Sequence, residues 1–498
     1  MQNLHASIKY HAMVEEDRAA VYYGDRQISY GEFYDRIRRV SALMVAQGIG
    51  RDDVIALFMK NSPAFLEIAY AASYIGAIFL PINFRLAAAE VEFILNDAKA
   101  KLLFVDEEFS ACQRLKIQTF ILSAEMQGDI RELTGTELPV PEAAVRGSDD
   151  LVRLMYTSGT TSHPKGVMHT YNNFYWKSID HVIALGLSRE DKLLMLGPMY
   201  HVGAFDLPGV AVLWVGGALC IHREFDPVAA LASIERHCLT GAWMAPVMLN
   251  RILAVEDHQR FDLSSLRWCI GGGEKTPDSR IRDFCRVFAN GRYIDAFGMT
   301  ETCSGDTLME AGWEFKKIGS TGRALPHLQI EIRDTDGSVL PPNTDGEICI
   351  RGPKVTKGYW NDPIKTALSF YGDWLRSGDI GHLDEDGFLY LTDRAKDMII
   401  TGAENVASSE VENVLYQMPQ VAEAAVIGAP DERWGERIVA VVVPKPGETL
   451  TFDAVEAHCR KYLAGFKVPR ELRLVASLPR TPSGKVLKRT LREEYKGG

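Results

Sequence analysis

The sequence predicts an α/β chain in two unequal parts: a large N-terminal domain of α/β layers with a β-rich subdomain, residues 1–394, and a small α+β C-terminal domain, residues 395–498. Three observations predict it. Short apolar runs alternate with helical patterns over residues 54–96, and the same rhythm returns over 192–272, as expected of buried strands covered by helices. Between 329 and 390 the texture changes to alternating strand signals separated by turn residues, and beyond Arg394 another compact unit begins.

Taken in order, VIALFM (54–59) reads as a buried strand, FLEIAYAASYIGA (65–77) as a helix and IFLPINF (78–84) as the next strand. LLMLGPMYH (193–201), GALCIHREF (217–225), GAWMAP (241–246) and RWCIGGG (267–273) each read as a strand leading into a loop. QIEIR (329–333) and EICIRG (347–352) are strands of the β-rich part, punctuated by Asp336-Gly337, Pro341-Pro342 and Asp386-Gly387 turns. The last unit carries a helical SSEVENVLYQM (408–418), strands at 421–428 and 437–444 and a helical DAVEAHCRKYL (453–463). The boundary falls between Asp393 and Asp397.

With 498 residues, 46% of them hydrophobic, the chain can bury two to four structural units. A net charge of −11 argues against a general nucleic-acid binder, although a local basic pocket can still hold an anionic cofactor. The longest apolar stretch, residues 209–221, falls short of the roughly 20 needed to span a bilayer and reads as buried core. The first twenty residues lack an apolar signal region and the eight cysteines are scattered, so a reducing cytoplasm is expected. Composition sets no oligomeric state and allows a homodimer.

The most informative segment is YTSGTTSHPKG, residues 156–166. Hydroxyls of Thr157, Ser158, Thr160 and Thr161, the backbone of Gly159 and the cation of Lys165 are the groups that grip phosphate oxygens, where a bland reading would be a polar surface turn. It is not a Walker loop, because Lys165 follows Pro164 and precedes Gly166. DAFGMTET (295–302) supplies an aromatic, Phe297, able to stack on a purine, with Gly298 and Met299 between it and Thr300, a phosphate donor, and Glu301, a magnesium ligand; a capped turn before a helix would use the same letters. In GGGEKT (271–276), Gly272 and Gly273 let backbone approach a flat ligand, and Glu274 with Lys275 form either part of that site or a solvated ion pair. Asp379 suits ribose hydroxyls and Arg394 sugar or phosphate, or the two form a structural salt bridge.

These blocks, with PRTPSGK at 479–485, occur in the order of the adenylate-forming superfamily, and the resemblance covers nearly the whole chain. The superfamily includes acyl-CoA synthetases, aryl-CoA ligases, luciferases and peptide-synthetase adenylation domains. The resemblance implies that the N-terminal domain is the adenylating one and that the C-terminal domain is mobile about Lys396. It implies that Lys485 is the catalytic lysine, otherwise an ordinary solubilising tail cation. His201, alternatively a core histidine, would gate the reacting carboxylate beside Val202, Gly203 and Phe205, with Trp243, Met244 and Ala245 nearby. The small residues here permit a long or planar acyl group. Three positions depart from the pattern: Ser162 and Ala403 stand where glycine is usual, Ala403 beside the thiol tunnel, and Phe297 replaces a tyrosine.

The implied cofactors are ATP, Mg2+ and CoA. The implied reaction is formation of an acyl-adenylate and then a thioester, with a fatty acid as first substrate and an aryl-propenoate as rival. Ala403 also motivates an amide-forming ligase, and a nucleotide-binding protein without catalysis is the reading of a different class.

Overall fold

The computed structural model describes residues 3–109, 116–134, 138–157, 164–273, 276–394, 397–401, 404–431, 433–480 and 486–496. A six-stranded sheet runs in the order Gln118–Leu122, Ala100–Asp106, Val54–Phe58, Ile78–Pro81, Leu151–Thr157 and Lys165–Thr170, parallel until its last, antiparallel pair. A nine-stranded sheet has a parallel centre, Arg292–Phe297, Trp268–Gly272, Gly241–Met244, Lys192–Met195, Ala218–Ile221 and Ala19–Tyr23, with antiparallel strands at both edges. Both expected α/β stretches are therefore strands of parallel sheets.

The sequence produces these sheets because their strands are apolar on both faces. Ile55 and Leu57 enter one core, while Val54, Ala56 and Phe58 enter another on the opposite face. The helix expected between the first strands forms at Pro63–Ile75 and is buried along its whole length. Ser62 caps it, its side chain accepting from the Phe65 amide, Pro63 opens it, and Gly76 closes it at φ 75°. The stretch expected to be buried core, residues 209–221, holds the short helix Ala211–Trp214 and the strand Ala218–Ile221.

The β-rich part is an antiparallel sheet of Gln329–Arg333, Gly346–Arg351, Trp374–Leu383, Phe370–Tyr371 and Leu389–Arg394. Its turns at Gly337 and Gly387 have φ 87° and 81°. After it, Ile399–Thr401, Glu404–Val406, Val421–Asp431, Gly435–Pro444 and Glu471–Leu474 form a separate sheet. Helices Ser408–Leu415 and Phe452–Tyr462 share a hydrophobic cluster with it that includes Val411, Val426, Ala440 and Val455. Among the described residues no helix is long and apolar enough to cross a membrane. Seven described cysteines are free thiols.

Candidate active site

The antiparallel strands Leu151–Thr157 and Lys165–Thr170 pair so that Thr157 faces Lys165. Ser158, Gly159, Thr160, Thr161 and Ser162, read as phosphate-gripping residues or neighbours, lie outside the described residues, but both ends of their segment are fixed by this pairing. Gly166 is closely packed there: a Cβ would stand 3.0 Å from the Tyr156 ring and 3.2 Å from Trp360 Cβ. The Trp360 amide donates to the Gly166 carbonyl at 2.7 Å, which docks the following segment onto the hairpin.

That segment brings Tyr359 to Glu301. The tyrosine hydroxyl donates to Glu301 Oε1 at 2.8 Å, and the Thr356 amide donates to the Glu301 carbonyl at 2.6 Å. Glu301 keeps part of its residue surface open while its carboxylate sits deep among protein atoms. Burial pushes its pKa up and nearby Asp379 adds to this, against the pull of the Tyr359 hydrogen bond and of Lys165. Lys165 is lowered by burial and by Lys365. Lys165, Glu301 and Asp379, more than 200 residues apart in sequence at the extremes, thus share one electrostatic neighbourhood. A buried carboxylate near the Lys165 cation fits a magnesium ion, which is commonly held by one or two carboxylates and substrate phosphates.

Strand Arg292–Phe297 delivers the turn that holds Glu301. Phe297 is buried at its end, and the Asp306 amide donates to its carbonyl at 2.7 Å. At Gly298 a Cβ would lie 2.3 Å from the Gly305 nitrogen, so only glycine lets the chain double back there. Met299 precedes a single 3-10 turn, Thr300–Thr302, whose Thr302 hydroxyl donates to Asp306 Oδ2 at 2.6 Å. No α-helix follows directly, because Cys303, Ser304 and Gly305 all take positive φ. The reading of these letters as a turn capping a helix therefore fails.

Gly272 and Gly273 end strand Trp268–Gly272. Gly273 has φ 95°, whereas a Cβ at Gly272 would meet only ordinary contacts, its nearest neighbour being Ala296 O at 3.4 Å. Neighbouring Gly271 is more restricted, with Tyr293 Oη 1.6 Å from its Cβ position. Glu274 and Lys275 lie outside the described residues.

His201 is partly exposed and accepts from the Gly203 amide through Nδ1 at 3.3 Å, which caps the short helix Val202–Ala204. Cβ atoms at Gly203 and Gly197 would fall 2.4 and 2.6 Å from the Trp243 ring, so the indole is wedged between two glycines and the smallness of Gly203 accommodates it.

Asp379 and Arg394 face each other across adjacent antiparallel strands. The Arg394 side chain, Lys396, Ala403 and Lys485 lie outside the described residues. Sequence reading missed Tyr359, whose signal was only an aromatic in a Gly-Tyr-Trp turn, and His169, whose Nε2 donates to the Thr300 carbonyl at 2.7 Å.

Residues 8–360 match the AMP-binding enzyme family and residues 410–485 match the AMP-binding enzyme C-terminal domain. The chain is 35% identical over 485 residues to a feruloyl-CoA synthase of Amycolatopsis sp, covering 97% of both chains. It is 36% identical over 482 residues to a long-chain-fatty-acid–CoA ligase of Mycobacterium tuberculosis, covering 95% of this chain and 94% of the other. A crystal structure of an anthranilate CoA ligase in complex with anthranoyl-AMP superposes with a TM-score of 0.93 at 25% identity, covering 99% and 97% of the two chains.

Proposed function

Because the chain belongs to the AMP-binding enzyme family and is an acyl- or aryl-CoA ligase of the adenylate-forming kind, we propose that it activates a fatty acid with ATP and transfers the acyl group to CoA. The observation that carries the reading is Glu301, at the turn that follows Phe297, held by the Tyr359 hydroxyl at 2.8 Å with Lys165 and Asp379 near enough to bias its carboxylate.

In the first step a carboxylate oxygen attacks the α-phosphorus of ATP, the bond to the bridging oxygen breaks and pyrophosphate leaves, giving acyl-AMP. In the second the CoA thiolate attacks the acyl carbon and AMP departs. Two anions meet in the first step, so the chain must supply positive charge and oriented donors where negative charge gathers. Lys165 supplies a cation, and Thr157 with the hydroxyls of Ser158, Thr160 and Thr161 and the backbone of Gly159 supplies donors to phosphate. Glu301, held by Tyr359, would hold magnesium, which when bound adds charge neutralisation on the phosphates. Phe297 packs against adenine, with the backbone of Gly272, Gly273, Gly298 and Met299 beside it. Thr300 donates to phosphate, and Asp379 and Arg394 hold the ribose. Lys485 bridges carboxylate and α-phosphate, and His201 stands at the carboxylate. For thiolation the unit after residue 394 turns about Lys396, withdraws Lys485 and presents Ala403 at the pantetheine passage. The free thiols suit a reducing cytoplasm.

A second acyl class, an aryl-propenoate such as a feruloyl or coumaroyl acid, is favoured by Trp243: an indole locked between Gly197 and Gly203 is a flat, rigid surface. The experiment is AMP release with ATP, magnesium and CoA across fatty acids and hydroxycinnamic acids, with products identified by mass. Acyl-CoA from fatty acids supports the first reading and from hydroxycinnamates the second. An adenylate without thioester would overturn the ligase reading. Lys485→Ala should lose adenylation by about 100-fold, a typical magnitude for a lost charge-stabilising donor, while thiolation of supplied acyl-AMP persists.

A further inference from the structure

Beneath the Thr300–Thr302 turn lies a set of charges buried from solvent. Arg153, His169, Lys177 and Asp206 are all fully buried. Arg153 Nη2 stands 2.8 Å from Asp206 Oδ2, a close charge pair without hydrogen-bond alignment, and Lys177 Nζ stands 3.2 Å from Asp206 Oδ1. Lys177 also donates to the Asp206 carbonyl at 3.1 Å. The Arg153 guanidinium lies 4.7 Å from the centre of the Phe174 ring, and its Nε donates to His169 Nδ1 at 3.0 Å.

These contacts fix the tautomer of His169. A carbonyl can only accept, so the ring nitrogen 2.7 Å from the Thr300 oxygen carries the hydrogen. The other nitrogen must then accept, and Arg153 is the donor that faces it. The imidazole is a neutral, directional link with one end on a fixed cation and the other on the backbone next to Glu301.

The far end of the set is also informative. Asp206 lies five residues after His201, in the segment that continues from the short helix Val202–Ala204. Lys177 holds both its carboxylate and its carbonyl, so the same ions that reach Thr300 anchor that segment.

We propose that His169, oriented by Arg153, is a positioning residue for adenylation: it fixes the Thr300 carbonyl and thereby the Glu301 carboxylate, and through Asp206 ties that turn to the segment following His201. Nothing in this role touches substrate. It acts by limiting how far the turn can move: the Thr300 carbonyl belongs to the peptide that leads into Glu301, so holding it keeps that residue where Tyr359 reaches its carboxylate. The link matters for the step that uses Glu301 and much less for the thiol step.

The inference rests on the adenylation reading, so wild-type ATP–pyrophosphate exchange is measured first; its absence would overturn that reading rather than the link. His169→Phe keeps the volume and removes both bonds, while His169→Gln keeps one donor and one acceptor. For His169→Phe the KM for ATP in the exchange reaction should rise by about tenfold, the equivalent of one net hydrogen bond, with thiolation of supplied acyl-AMP changed by less than about twofold. Calorimetry with a non-hydrolysable ATP analogue gives a reading independent of turnover: magnesium should tighten binding by about tenfold less in His169→Phe than in wild type. His169→Gln should recover most of both. Equal loss of the two half-reactions, an unchanged KM for ATP, or failure of glutamine to rescue would each overturn the proposal. Should His169→Phe not fold, His169→Asn, whose shorter amide cannot span both partners, carries the same comparison.

Discussion

Two clusters of charge meet burial with different groups. At Arg36, 2% exposed, one guanidinium faces Glu32 at 2.7 Å, Glu67 at 3.1 Å and Asp129 at 3.5 Å; Arg131 also pairs with Glu32 and Asp129, whereas fully buried Glu67 is paired with Arg36. At Asp206 one carboxylate faces two cations, Arg153 and Lys177. A buried carboxylate can discharge by taking up a proton, whereas a guanidinium does not shed one. Burial accordingly pushes Glu67 up to about 7 even with Arg36 beside it. Burial also pushes Asp206 up, but Arg153 and then Lys177 outweigh it and hold the carboxyl below its ordinary range. The first cluster is an adjustable clamp between helices Tyr30–Ala46 and Pro63–Ile75. In the second, Arg153 keeps its charge, and it is the group that reaches the candidate site through His169.

The largest effect should come from Asp206→Asn, which leaves two buried cations without a counter-charge. Destabilisation of about 5 kcal/mol is expected, at the upper end for a broken buried ion pair. The exchange activity per folded molecule should fall as well, because Arg153 loses the partner that orients it towards His169. A urea titration paired with exchange assays on the folded fraction checks both, and retained activity would separate the cluster from the site. Arg36→Met should cost less, about 3 kcal/mol at neutral pH, because Glu67 can become neutral in response. Its exchange activity per folded molecule should equal that of wild type. A loss there would erase the distinction between the two clusters.

The contrast also explains what could be read from the sequence. Apolar periodicity disclosed the strands Val54–Phe58, Lys192–Met195 and Trp268–Gly272 and the helix Pro63–Ile75, since their signals are local and repeat along the chain. Thr157, Lys165, Thr300 and Glu301 stood out because their chemistry is packed into short segments. Arg153 and Glu67 did not, because a lone charge in an apolar run looks the same whether it faces solvent or a partner far along the chain. The signal was present in LVRLMY (151–156), where an arginine interrupts a strand otherwise apolar up to its end. Its meaning depends on Asp206 and His169, which only the fold brings to it. Trp243 shows the same limit: the smallness of Gly203 was legible, but the indole packed on it was not.

A further effect is confined to a pH window and comes from Glu67→Gln. Folding raises the Glu67 pKa from an ordinary 4.5 to about 7, so the folded chain binds this proton more tightly than the unfolded chain does. The associated stability is complete below about pH 4.5 and is lost as pH rises through 7, because above that the folded protein must carry the charge in a buried site. Glutamine cannot ionise, so Glu67→Gln should remove this decline, and the difference in Tm between variant and wild type should change steadily between pH 4.5 and 7.5 and then level. Arg36→Met sharpens the test, since its cost should grow with pH over the interval in which Glu67 loses its proton. Asp206→Asn should slope the other way: burial already lowers the Lys177 pKa, and without Asp206 the ammonium gives up its proton more readily, so the cost of the substitution should shrink as pH rises. A slope in Asp206→Asn of the same sign as that of Arg36→Met would mean that the proton assigned to Lys177 is not the one that moves.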